Sequence, residues 1–165
     1  FHQIYLVELR GWSLPVFASA FSLMAITTIL FVIISGALVD RFSAVSLLPS
    51  FLVPLACACF VLGGVEAQWA AFVFMAFLGI SYGFSSTLFG AIWPELYGTK
   101  HLGSIRSIIV AMTVFGTAAG PGITGWLIDI NVSYSKQILA MGMYCLTACI
   151  GMYFVSQALR KRTTA

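Results

Sequence analysis

Few side chains in this chain of 165 residues can do chemistry, and they stand apart from one another. Asp40 and Arg41 sit side by side between two long apolar runs. An acid and a base cannot lie bare in hydrocarbon, so the pair marks a short loop at a membrane surface. Gly36, one turn earlier, lets two backbones approach closely, and Asp40 is placed to accept from the N-terminus of another helix. Charged hinges of this kind suit a protein whose parts rock against each other. Glu95 and Arg106 flank a second polar stretch and can pair as a structural latch rather than as a solute contact. His2 is the one titratable group that falls deep, roughly 13–15 Å below the nearer boundary at 1.5 Å per residue. A histidine there can donate to a carboxylate or exchange a proton near neutral pH. Ser22 and Thr113 come out at similar depth, and Tyr82 and Ser85 a little past the centre. Ser81, Ser86 and Thr87 extend these into a hydroxyl-rich patch, while Thr113 and Thr117 make a polar stripe leading toward Arg106.

The same residues exclude other chemistry. His2 and His101 fall on opposite sides of the membrane and no nucleophile–base set exists, so an enzyme is disfavoured. Cys145 and Cys149 share a helix face, but two thiols with no His or acid nearby make a poor metal site. No metal or cofactor is expected. The net charge of +3 is scattered at the ends of apolar runs, which argues against nucleic acid; Arg160, Lys161 and Arg162 read as a membrane-surface anchor.

The elements that carry these residues follow from composition. The chain is 61% hydrophobic and 8% charged, with a mean hydropathy of +1.02. A soluble domain carries about 25% charged residues, so this is an all-α polytopic membrane protein. Charge-free intervals run from Gly11 to Val39, Phe42 to Val65, Ala67 to Pro94, Ser107 to Ile128 and Gln137 to Leu159. Each can hold the ~20 residues a spanning helix needs, and none alternates as a barrel strand does. Five complete spans are expected, at roughly 14–39, 44–64, 69–93, 104–129 and 138–159, with residues 1–9 the end of a preceding one. The chain opens inside an apolar run, so it is expected to be part of a longer protein.

Basic residues set the orientation. With the C-terminus cytoplasmic, Arg41, Lys100, Arg106, Arg160, Lys161 and Arg162 lie inside, and Arg10 and Lys136 outside. Trp12, Trp69 and Trp126 then fall at the outer interface and Trp93 at the inner one. Pro49 and Pro54 should bend the second span, and Pro121 should break the backbone ladder of the fourth.

Three stretches resemble the C-terminal half of a major facilitator superfamily transporter. Gly36-Ala-Leu-Val-Asp40-Arg41 resembles the family's Gly-x-Leu-x-Asp-Arg loop signature, here between the eighth and ninth helices. Ser43, Ala44 and Val45 stand where the family has a Gly and further basic residues. Gly116-x-x-x-Gly120-Pro121 with Gly125 resembles the glycine-proline packing motif, in the position of the eleventh helix. Pro94 to Gly98 and Gly103 to Arg106 resemble the loop between the tenth and eleventh helices of bacterial members, and with His2-Gln3 point toward monocarboxylate and oxalate/formate carriers.

The resemblance implies half of a twelve-helix bundle, helices eight to twelve plus the end of seven, that needs a partner lobe for alternating access. The layer of His2, Ser22, Tyr82, Ser85, Thr113 and Thr117 becomes the expected solute cavity, and Gly36, Asp40, Arg41, Glu95 and Arg106 the expected gate. Expected partners are a small organic solute, protons as coupling ion, membrane lipid and the N-terminal half, with the protein in a bacterial inner membrane. The alternatives are a drug/proton antiporter of the same family and a non-transporting membrane sensor. No acid or base lies deep in a complete span, so a charged solute would need its counter-charge from the other lobe.

Overall fold

The computed structural model describes residues 3–163, and among them every regular element is helical. The helices are α1 (Gln3–Leu9), α2 (Leu14–Phe42), α3 (Ala44–Leu47), α4 (Val53–Gly64), α5 (Ala70–Tyr97), α6 (Leu102–Asp129) and α7 (Tyr134–Thr163). Among the described residues, α2, α5, α6 and α7 are long and apolar enough to cross a membrane. The second apolar run does not form one helix. Pro49 falls in the turns that separate α3 from α4, and Pro54 stands in the first turn of α4, where its missing N–H costs nothing. α6 does not end at Pro121, although the ring leaves the Thr117 carbonyl without its ladder donor.

The break between α2 and α3 is a single residue. Ser43 ends α2, its N–H donating to the Val39 carbonyl at 2.9 Å, and starts α3, its Oγ accepting from Ser46 N at 3.3 Å. To do both it takes φ +68° and ψ 151°, a region that glycine alone occupies freely at a cost to other residues of about 1–3 kcal/mol. Ser43→Gly relieves that strain while losing the side-chain cap, and Ser43→Ala keeps the strain and loses the cap. Thermal unfolding in detergent should therefore rank Gly at or above Ser, and Ala about 1 kcal/mol below Ser.

Tight packing holds α2 along α5. A Cβ on Gly83 would stand 2.6 Å from the Thr28 carbonyl and 2.9 Å from Val32 N, and one on Gly79 would meet Thr27 Oγ1 and the Met24 carbonyl. Small residues four apart let backbones approach in this way where lipid supplies no hydrophobic drive. Ser35 is fully buried at the seam, its hydroxyl bonding back to Val32 O at 3.1 Å. α4 packs on α5 and α7, with Gly142 close against Cys59 and Phe60. The helix-packing glycines expected on α6 are different: a Cβ on Gly116 or Gly120 meets nothing within 4 Å, and α6 has no buried residue. Gly125 lies on the same helix near its end.

Two buried clusters lie at opposite ends of the bundle. One gathers Leu6, Trp12, Phe17, Leu62, Met75 and Ile138, and the other Val45, Phe51, Phe84, Leu88 and Ile92. At the Trp12 end, Arg10 donates to the Val65 carbonyl at 2.8 Å and to the Leu62 carbonyl, closing the C-terminus of α4. Partial burial lowers the Arg10 pKa from its ordinary value, with Glu66 opposing. At the same end Trp12 is 9% exposed, its indole N–H donating to the Glu66 carbonyl at 2.8 Å and its ring under Arg10. Trp69 and Trp126 are exposed.

Candidate functional site

The hydroxyl patch of α5 is distributed over three faces, because consecutive helical positions turn by about 100°. Thr87 turns to α2, with Oγ1 3.4 Å from the Val32 carbonyl and 3.3 Å from the Gly83 carbonyl. Ser81, Tyr82 and Ser85 line a cleft of about 220 Å³ with Leu52, Leu55 and Leu78, against the start of α4. Ser86 turns to α6. There, with Phe89, Gly90 and Trp93, it faces Arg106, Ile109 and Val110 across a cleft of about 280 Å³.

This second cleft joins residues that the sequence placed in separate groups. Arg106 enters it as the fifth residue of α6, and among the described residues no acid pairs with it. Gly90 lines the cleft beside open space, since a Cβ there would meet nothing within 4 Å. Trp93 stacks on Tyr97 at 6.4 Å and 14°, which fixes an apolar wall. Beyond Val110 the same α6 face carries Thr113 and Thr117, about 16 Å from Arg106 at Thr117. Their hydroxyls donate to the carbonyls of Ile109 at 2.8 Å and Val114 at 2.9 Å, so what they offer a solute is acceptor lone pairs. The Arg106 guanidinium beside Ser86 and the apolar Phe89, Trp93 and Val110 makes a surface suited to one carboxylate with a small apolar body.

The other expected residues fall as follows. Ser22 is exposed on α2, away from both clefts. His2 lies outside the described residues. Gly36 has no neighbour within 4 Å of a built Cβ. Asp40 and Arg41 are exposed; the Arg41 guanidinium lies 5.2 Å from the Phe42 ring, and no described residue donates to Asp40. Glu95 and Arg106 do not form the expected latch. Glu95 Oε2 instead accepts from Ala44 N at 2.8 Å, capping the start of α3 with a carboxylate where the helix end is positive. Glu95→Ala should therefore destabilise the protein by about 1 kcal/mol. A double-mutant cycle with Arg106→Gln should give a coupling below about 0.5 kcal/mol. A coupling well above that would restore the latch.

Trp93, Gly90, Gly79 and Gly83 were not read from the sequence as functional. The spacing Gly79-x-x-x-Gly83-x-x-x-Thr87 was the available signal for the α2–α5 seam. No sequence signal marks Trp93 and Gly90 as partners of Arg106, because that depends on how α6 lies against α5.

A profile of the Major Facilitator Superfamily matches residues 1–165, the whole chain. The chain belongs to the Major Facilitator Superfamily. Monocarboxylate transporter 14 of Mus musculus is 28% identical over 137 residues, covering 81% of this chain. The chain spans 26% of that relative's length. No solved structure matches the chain significantly. Membership in this superfamily, together with four helices long and apolar enough to cross a membrane among the described residues, makes it an integral membrane protein.

Proposed function

We propose that the chain forms one lobe of a secondary transporter that carries a small organic monocarboxylate by alternating access. The α5–α6 cleft lies on the solute's path. The observation that carries this reading is Arg106, a cation with no acidic partner among the described residues, set beside Ser86, Gly90 and Trp93 around one cleft. The name of the mouse relative supports the same solute class. Arg106 receives the carboxylate at the Asp40 end of the bundle, and the solute's apolar body lies along Phe89, Trp93 and Val110. Asp40, Arg41 and Gly36 meet the opposite lobe and hold the outward-facing state. With six basic residues against two, that end faces the cytoplasm, and so does the C-terminus. Protons are the coupling ion, with His2 the group that can carry one in this lobe.

The test is uptake of a labelled short monocarboxylate by proteoliposomes of the full-length protein, with and without an inward proton gradient. Saturable uptake, stimulated by the gradient and competed by monocarboxylates but not by cationic drugs, is the expected result. Export of cationic drugs against protons would establish the antiporter instead. No solute movement above protein-free liposomes would leave the sensor.

A further inference from the structure

A cleft larger than either of these lies elsewhere, at the Trp12 end between α6 and α7. It holds about 420 Å³, within the range of about 300–1,000 Å³ typical of small-ligand sites. Its walls are largely apolar, with Ile123 and Leu127 on α6 and Ala140 and Met141 on α7. Three polar side chains join them: Thr124, Tyr144 and Gln137.

Gln137 is the informative one. It is 7% exposed, and its Oε1 is buried with no hydrogen-bond partner among the described residues. Its other amide atom is committed, since Nε2 donates to the Val132 carbonyl at 2.9 Å. A carbonyl can only accept, so the amide cannot be turned over without setting two acceptors against each other. The free atom is therefore an acceptor, and a buried acceptor without a donor is unfavourable. What completes it must bring an O–H or N–H. A carboxylate cannot, which separates this site from the Arg106 cleft.

Its depth narrows the class further. Gln137 is the fourth residue of α7, about 5 Å from the helix end, and Tyr144 lies about 10 Å further along the same face. A polar contact near the membrane surface with an apolar trench running inward matches a molecule with a hydroxyl head and a hydrocarbon body. We infer that the α6–α7 cleft binds a neutral membrane lipid bearing a free hydroxyl, which donates to Gln137 Oε1 while its apolar body lies against Ile123, Leu127 and Met141. The site is independent of the transport reading.

The experiment is photo-crosslinking of the full-length protein in phosphatidylcholine vesicles doped with one of three photoactivatable probes: a sterol, a diacylglycerol or a phosphatidylcholine. Preferential labelling by either hydroxyl-bearing probe, mapped to residues 120–127 and 137–144, is expected, and which probe labels identifies the lipid. Gln137→Leu, which keeps the wall apolar, should reduce that labelling by about two- to tenfold, the worth of one hydrogen bond. Met141→Trp, which fills the trench and leaves Gln137 in place, should reduce it as well. Equal labelling by all three probes, or labelling unchanged in both variants, would overturn the inference.

Discussion

Gly83→Ala should be among the most damaging single-methyl changes in this chain. The added carbon would stand 2.6 Å from the Thr28 carbonyl and 2.9 Å from Val32 N, both backbone atoms that no side-chain rotation can move. α2 and α5 must separate, and the seam that holds Ser35 and Thr87 opens with them. Overpacking of this kind costs about 1–3 kcal/mol, which outweighs the gain of about 1 kcal/mol that alanine brings over glycine in a helix. Unfolding of the full-length protein in detergent would show the loss. Gly151→Ala is the control, because a Cβ there meets nothing within 4 Å and only the propensity gain remains. If the two variants unfolded alike, the close approach of α2 and α5 would be wrong.

Arg106→Gln should have the largest effect on transport. The variant keeps an N–H donor but is shorter, has two donors in place of five and loses the charge, and hydrogen bonds to charged groups contribute about 1.5–3 kcal/mol. The KM for a monocarboxylate should rise roughly 10- to 150-fold. Arg106→Lys keeps the charge without the two-pronged guanidinium and should fall between. If the cleft only admits the solute, the turnover rate stays near its original value and the loss appears in KM. A KM within twofold of the unaltered protein would remove Arg106 from the solute path.

Much of the architecture was legible because hydrocarbon leaves so few options. With 8% charged residues, the apolar intervals could only be helical, and four of the five expected spans are long helices; the run between Asp40 and Glu66 is divided into α3 and α4 at Pro49. Pairing of helices was less legible. The α6 motif around Gly116 and Gly120 drew attention as a packing surface, yet the described residues leave it open, while Gly79 and Gly83 do the packing. A small residue shows that a backbone can come close, not which one does.

The polar residues failed in a related way. Ser81 to Thr87 read as one patch by proximity in sequence, but they point toward α2, α4 and α6 in turn. Glu95 and Arg106 read as a pair by charge, and Glu95 found the amide of Ala44 instead, because a helix start offers a fixed donor at close range. That substitution leaves Arg106 available, and the functional reading rests on it.

The most direct test places a cysteine at Val110, inside the α5–α6 cleft, in the full-length protein. Inside-out vesicles are treated with a membrane-impermeant thiol reagent, and labelling of the native cysteines at 57, 59, 145 and 149 is subtracted as background. The account predicts that Val110→Cys is labelled from the cytoplasmic side and that a transported monocarboxylate slows the labelling several-fold, while a cationic drug does not. Labelling indifferent to the monocarboxylate, or a thiol closed to the reagent on both sides of the membrane, would contradict it.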